Sequence, residues 1–184
     1  MKFQETEIPG AWLIDLEPAI DERGFFARTW CRREFEERGL DSKLVQCNIS
    51  FNRKIGTLRG LHFQVPPNCE AKLVRCTAGA VWDVIVDVRA DSPTLHRWKS
   101  VELTAGNHRM LYVPPGVAHG FQSLEDSSEV SYQMSEYYNA DAARGLAWDD
   151  PVLGIVWPIA NPILSGRDRA FPYLSSRTAP GHPS

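Results

Sequence analysis

Four residues stand out because their chemistry does not match their neighbours. His62 lies in Leu58-Arg-Gly-Leu-His-Phe-Gln64, and His119 lies in Pro114-Pro-Gly-Val-Ala-His-Gly120. Lys72 opens the strand-like run Lys72–Thr77, where alternation puts it on one face with Val74 and Cys76. Tyr132 shares a face with Val130 and Met134 in the run that begins at Glu129. Both therefore sit on otherwise apolar faces, and a lysine there must reach water, find a partner or do chemistry. His62 shares its face with Gln64, opposite Leu61 and Phe63. One strand histidine is ordinarily a hydrogen-bonded core residue, but a pair without a metal suits proton transfer or contact with a phosphate.

A metal is the first alternative to weigh. The string Pro114-x-Gly-x-x-His119 is similar to the second half of a cupin metal motif. The first half would need an H-x-H pair and a nearby glutamate. The matching string here is His62-Phe-Gln64, so the second ligand is missing. A stable site needs three or four protein ligands, and none is expected. G-x-G-x-x-G and P-loop strings are also missing, and no cofactor is expected.

The elements that position these residues are short strands. Runs at Ala11–Leu16, Phe25–Trp30, Val45–Phe51, Thr57–Phe63, Lys72–Thr77, Val81–Val88, Trp98–Leu103, Arg109–Val113, His119–Ser123 and Glu129–Tyr138 are separated by Gly, Pro, Asn and Asp. Many short strands at this spacing predict an all-β sandwich or barrel. In Val81–Val88, Trp82, Val84, Val86 and Val88 point one way and Asp83 and Asp87 the other. One short helix is predicted over Arg32–Arg38, stopped by Gly39. A segment rich in Pro and Trp follows Asp141, and residues 175–184 read as a flexible tail.

The 184 residues fit one domain with a full core, taken as 1–174. A net charge of −3 implies no basic surface for nucleic acid, although a local basic pocket could hold a phosphate. Cys31, Cys47, Cys69 and Cys76 form no C-x-x-C pair and read as free thiols of a reducing compartment. The N-terminus MKFQETEIPG lacks the apolar core of a signal peptide, and no apolar run approaches a membrane span. A cytoplasmic protein with no membrane partner is expected.

Seven strings in order carry a further reading: Asp21-Glu-Arg-Gly-Phe-Phe26, Leu58-Arg-Gly-Leu-His-Phe-Gln64, Lys72-Leu-Val74, Tyr112-Val-Pro-Pro-Gly-Val-Ala-His-Gly-Phe121, Tyr137-Tyr138, Trp148-Asp-Asp-Pro151 and Leu164-Ser-Gly-Arg-Asp168. With them the chain resembles, over about residues 4 to 174, the dTDP-4-dehydrorhamnose 3,5-epimerase family of nucleotide-sugar enzymes. The resemblance implies a metal-free, cupin-type jelly-roll barrel with a few short helices, a homodimer, and no cofactor. It implies inversion at C3 and C5 of a 4-keto-6-deoxy sugar, dTDP-linked as the first choice, by proton abstraction and return through an enolate. By the same resemblance His62 is the base, Asp168 its dyad partner, Tyr132 the acid on the opposite face and Lys72 the group near the ketone oxygen. Arg23, Phe26, Arg28, Gln46, Asn48, Arg59, His119, Tyr138 and Arg167 match positions that meet the nucleotide sugar, Tyr138 as the aromatic that stacks on the base.

The chemistry suits these side chains. A carbonyl at C4 acidifies the hydrogens at C3 and C5, and a donor at its oxygen must stabilise the enolate. The chain departs from the family at Arg28 and Ala143, where Glu is common, at Cys47, where Asp is common, and at Arg167, where Lys is common. Arginine only donates hydrogen bonds where a carboxylate accepts them, so these positions open the nucleotide preference. The alternatives are a mono-epimerase, an enzyme for a CDP- or GDP-linked keto sugar, a metal-dependent cupin oxygenase, and a non-catalytic nucleotide-sugar binder. The apolar run Ala11–Leu16 is expected to be an edge that pairs with a partner subunit.

Overall fold

The computed structural model describes residues 1–174. The residues read as a tail, 175–184, lie outside the described part. In chain order the strands are β1 (Lys2–Glu5), β2 (Trp12–Asp15), β3 (Ala19–Asp21), β4 (Gly24–Phe26), β5 (Gln46–Asn52), β6 (Leu58–Gln64) and β7 (Lys72–Ala78). They continue with β8 (Ala80–Asp87), β9 (Trp98–Thr104), β10 (Met110–Val113), β11 (Val117–Ser123), β12 (Ser128–Met134) and β13 (Ala143–Gly145). The two short helices are α1 (Arg32–Glu36) and α2 (Gly166–Arg169).

Two antiparallel sheets face each other in a cupin-type jelly roll, one ordered β1-β2-β10-β7-β12-β5 and the other β13-β6-β11-β8-β9. Alternation decides what each strand gives the space between them. Val74 and Cys76 of β7, Leu111 and Val113 of β10 and Val130 of β12 meet Val81 and Ile85 of β8, Leu103 of β9 and Val117 and Phe121 of β11. The opposite faces are covered as well. Ile14, Leu73, Met110 and Tyr112 pack under Phe35 of α1, while Leu61, Phe63, Val84 and Val86 pack under Leu146, Leu153, Ile155 and Trp157 of the C-terminal segment. That segment explains why Trp82, Val84, Val86 and Val88 share an apolar face even though it points away from the barrel.

The structure changes several expected bounds. The run Phe25–Trp30 is strand only as far as Phe26, because β4 has a single partner, β3, in a hairpin set apart from both sheets. Trp30 instead packs toward Phe35. The run from Glu129 stops at Met134, where the Ser135 hydroxyl takes a hydrogen bond from the Ala71 amide and the chain leaves the sheet. The helix covers Arg32–Glu36, and Gly39 takes the left-handed conformation at φ 67° that ends it. The run at Ala11–Leu16 is not an edge: β2 lies between β1 and β10, so that strand is already paired on both sides within the chain. Among the described residues no helix is long and apolar enough to cross a membrane.

The turn after β8 is built around Asp87, whose fully buried carboxylate accepts from Arg89 Nη2 (2.7 Å), Thr94 Oγ1 (2.6 Å) and Ser92 Oγ. Burial pushes this carboxyl up, but the bonds from Arg89, Ser92 and Thr94 outweigh it and hold it well below the usual carboxylate range. A depressed folded-state value contributes stability above the unfolded value near 4 and loses it as the pH falls toward the folded value. Asp87→Asn should therefore lower the unfolding free energy by roughly 2–3 kcal/mol at pH 7. The gap to the parent should narrow below about pH 4. Urea unfolding at pH 7 and pH 3 checks both, and an equal loss at the two pH values would contradict the charge argument.

Candidate active site

The cavity between the sheets has a volume of about 360 Å³, within the range of small-molecule sites. Its walls come from both sheets: Gln46 and Asn48 of β5, Tyr132 and Met134 of β12 and Lys72 of β7 on one side, with Arg59, His62 and Gln64 of β6 and His119 and Phe121 of β11 on the other. Tyr138, Ala143, Arg144 and Arg167 complete the rim.

One irregularity aims two of these residues. His119 stands opposite His62, but Phe121 stands opposite Arg59, so two steps on β11 match three on β6. The extra residue resets the alternation and turns Arg59 and His62, three positions apart, to the same cavity. Gly60 has φ 121°, and a Cβ placed on it would lie 2.5 Å from the Gly120 Cα. Only glycine lets the two strands approach this closely. Gly145 serves a second contact, since a Cβ there would overlap the Phe171 ring, whose centre is 5.6 Å from that of His62.

His62 Nε2 is 2.6 Å from Asp168 Oδ1. Asp168 stands on α2, and its amide donates to the Ser165 hydroxyl that caps that helix (3.1 Å). Burial raises the Asp168 carboxyl, but the bond and charge of His62 outweigh this and keep it low. A carboxylate on Nε2 makes that nitrogen the donor and leaves Nδ1 as the basic atom. The imidazole is 41% exposed and can meet a ligand, whereas its partner is sealed at 6%.

His119 forms a second such pair, its Nε2 lying 3.0 and 2.9 Å from the two oxygens of Asp83. Asp83 is fully buried, and burial pushes its carboxyl up against the pull of His119. The Tyr132 ring centre is 5.9 Å from that of His119. Burial, and then the Asp83 charge, push the Tyr132 hydroxyl far above its ordinary value, so it is a proton donor throughout the neutral range. Lys72 Nζ is 2.8 Å from Glu70 Oε1 and donates to the His62 carbonyl at 3.2 Å.

The outer side of the cavity is arranged by polar contacts. Arg59 Nε donates to Asn52 Oδ1 (2.8 Å) and Nη2 to the Phe51 carbonyl (3.1 Å). Gln46 Oε1 accepts from the Tyr138 amide (3.2 Å), and Arg167 Nη1 donates to the Tyr138 hydroxyl (3.3 Å). His62, Lys72, Tyr132, Gln46, Asn48, Arg59, His119, Tyr138 and Arg167 thus meet at one cavity, with Asp168 behind His62. Arg23, Phe26 and Arg28 do not line it. Arg23 pairs with Asp21, Phe26 is 81% exposed on the projecting hairpin, and Arg28 pairs with Glu34 of α1 at 3.1 Å. Of the four departures from the family pattern, Ala143 and Arg167 face the cavity, Cys47 is exposed on the outer face of β5, and Arg28 is held by Glu34.

Sequence reasoning missed Asp83, Glu70 and Arg144. A signal for Asp83 was present: it shares its face with Val81 and Ile85, the same anomaly that singled out Lys72. Among the described residues no group of three or more His, Cys, Asp or Glu side chains could hold a metal ion.

A barrel whose two walls each bring a titratable group to one cavity is suited to acid–base chemistry on a bound ligand. The chain matches the family described as dTDP-4-dehydrorhamnose 3,5-epimerase over residues 5–176. It is 45% identical over 175 residues to the dTDP-4-dehydrorhamnose 3,5-epimerase of Sinorhizobium fredii, covering 95% of this chain and 90% of that one. The Bacillus anthracis enzyme of that name, solved with TDP and PPi bound, superposes with a TM-score of 0.91 at 44% identity, over 94% of this chain and 99% of the other. The Legionella pneumophila dTDP-6-deoxy-D-glucose-3,5-epimerase, solved with dTDP-4-keto-L-rhamnose, gives 0.89 at 35% identity over 96% and 94%. The chain belongs to the dTDP-4-dehydrorhamnose 3,5-epimerase family and is an isomerase.

Asp168→Asn keeps the shape of the pair but removes the charge that fixes the His62 tautomer. It should lower turnover by roughly 10²–10³-fold with the fold intact. Steady-state kinetics beside a thermal melt checks this, and a variant turning over within threefold of the parent would remove Asp168 from the dyad.

Proposed function

We propose that this enzyme converts dTDP-4-dehydro-6-deoxyglucose to dTDP-4-dehydrorhamnose, inverting C3 and C5. What carries the reading is the opposition of His62, backed by Asp168 on the β6 side, to Tyr132 on β12, with Lys72 lining the same cavity. His62 Nδ1 takes the proton from C3. The C–H electrons form the C3–C4 double bond, and the C4 carbonyl becomes an enolate oxygen. The Lys72 ammonium donates to that oxygen as its charge grows. Tyr132 then delivers its hydroxyl proton to C3 from the other face, which inverts the centre. Solvent restores the proton on Tyr132 and removes the one on His62, and the same cycle acts at C5. Arg59 and Arg167 suit the diphosphate, and Tyr138, 57% exposed at the rim, suits stacking on the base.

Tyr132→Phe keeps the ring and removes the hydroxyl. With the dTDP sugar in deuterated water it should still exchange the C3 proton through His62 but form at least 10²-fold less inverted product. His62→Ala should lose exchange and inversion together by roughly 10²–10⁴-fold. Full epimerisation by Tyr132→Phe would end the assignment. Substrates linked to dTDP, CDP and GDP, compared side by side, test whether Ala143 and Arg167 have moved the nucleotide preference, and dTDP should remain the best.

We also propose a cytoplasmic homodimer of a single domain, 1–174. Ile20 and Phe26 on the hairpin are 79% and 81% exposed, and Ile49 on the β5 edge is 67% exposed, so a second copy has apolar surface to cover. Arg23 and Phe26 stand away from the cavity of their own copy, which supports their reaching the cavity of the other. Arg23→Ala should then raise KM for the nucleotide sugar about tenfold or more, the loss expected for one charged contact. A monomeric mass at micromolar concentration in a fully active sample would overturn the dimer.

A further inference from the structure

We infer that Glu70 is a positioning residue, which aims the Lys72 ammonium at the substrate's carbonyl oxygen. The inference rests on the enolate reading above and assigns a residue that reading does not use. Glu70 lies two positions before Lys72, at the end of a loop folded back by Gln64 Nε2, which donates to the Asn68 carbonyl (2.8 Å), and by the Val65 amide, which donates to the Ala142 carbonyl (3.0 Å). Both side chains are sealed, at 5% and 8% exposure, and both line the cavity.

An ammonium has three N–H donors. Glu70 Oε1 takes one at 2.8 Å and the His62 carbonyl takes another at 3.2 Å. Two fixed acceptors set the direction of the third donor. One of them is the main chain of the base itself, so the spacing between proton acceptor and oxyanion donor is set by the protein rather than by the bound sugar. Placement of this kind is where small displacements cost large factors in rate.

Sealing a carboxylate and an ammonium away from water costs desolvation that their attraction repays only when the remaining polar atoms are satisfied. Among the described residues Glu70 Oε2 is buried without a hydrogen-bond partner. Losing Glu70 alone would leave the sealed Lys72 ammonium without its counter-charge, so the test has to separate loss of aim from loss of fold.

A double-mutant cycle with the dTDP sugar tests this, read as kcat, KM and the rate of solvent deuterium entry at C3. Lys72→Met should lower kcat by roughly 10²–10³-fold, the usual worth of an oxyanion donor. Glu70→Gln, nearly isosteric, should lower kcat and deuterium entry about tenfold, a modest misplacement, with KM within about threefold. Its melting temperature should fall, because Lys72 loses its buried counter-charge, with the variant still folded at the assay temperature. In the Lys72→Met background Glu70→Gln should change kcat by less than about twofold, because its effect passes through Lys72. A Glu70→Gln loss of the same size in both backgrounds, or no loss in the parent, would overturn the inference while leaving the enolate reading intact. Normal turnover by Lys72→Met would overturn both.

Discussion

The site depends on one steric contact, the approach of Gly60 to Gly120. Neither strand could carry a side chain there, since a Cβ on Gly60 would meet the Gly120 Cα at 2.5 Å and one on Gly120 would meet the Arg59 carbonyl oxygen at 2.7 Å. The bulge that results puts one extra residue into β6 and gives Arg59 and His62 a common direction. In a regular strand they would lie on opposite faces, the guanidinium on the outer side of the sheet and the imidazole in the cavity. The cation suited to the phosphate and the group suited to take the proton come to one cavity only because the pleat is broken between them.

Around that break the electrostatics divide by depth. Each of the two cavity histidines has a carboxylate, but Asp168 lies behind an imidazole open to ligand, while Asp83 lies behind one that is itself sealed. The first pair can exchange a proton with a substrate. The second holds a negative charge close to Tyr132, and burial together with that charge keeps the tyrosine protonated. On the proposed reading, a base and a donor placed one on each wall would serve inversion rather than simple isomerisation.

The sequence made the strands legible because alternation is a strong signal where one face is buried, as in β12, while β7 and β8, buried on both faces, stood out as short apolar runs between turns. It misled at Phe25–Trp30, where apolar residues leave a two-stranded hairpin and enter the packing under α1 instead of extending a sheet. It was silent on β13 and α2, of three and four residues, which are too short to show a period. Within the site, Lys72 and Tyr132 could be found as polar groups on apolar faces. Asp168 could not be found in that way: it is 106 residues from His62, and only the family strings pointed to it. Glu70 was hidden because it stands in a loop, where no alternation marks a buried charge.

The central claim is that protons leave and return through solvent-exchanging groups at two carbons. It is tested most directly by running the reaction to product with the unmodified enzyme in deuterated water and locating the label by NMR. One deuterium at C3 and one at C5 of the inverted sugar are expected. An inverted product with no solvent deuterium at either carbon would contradict it.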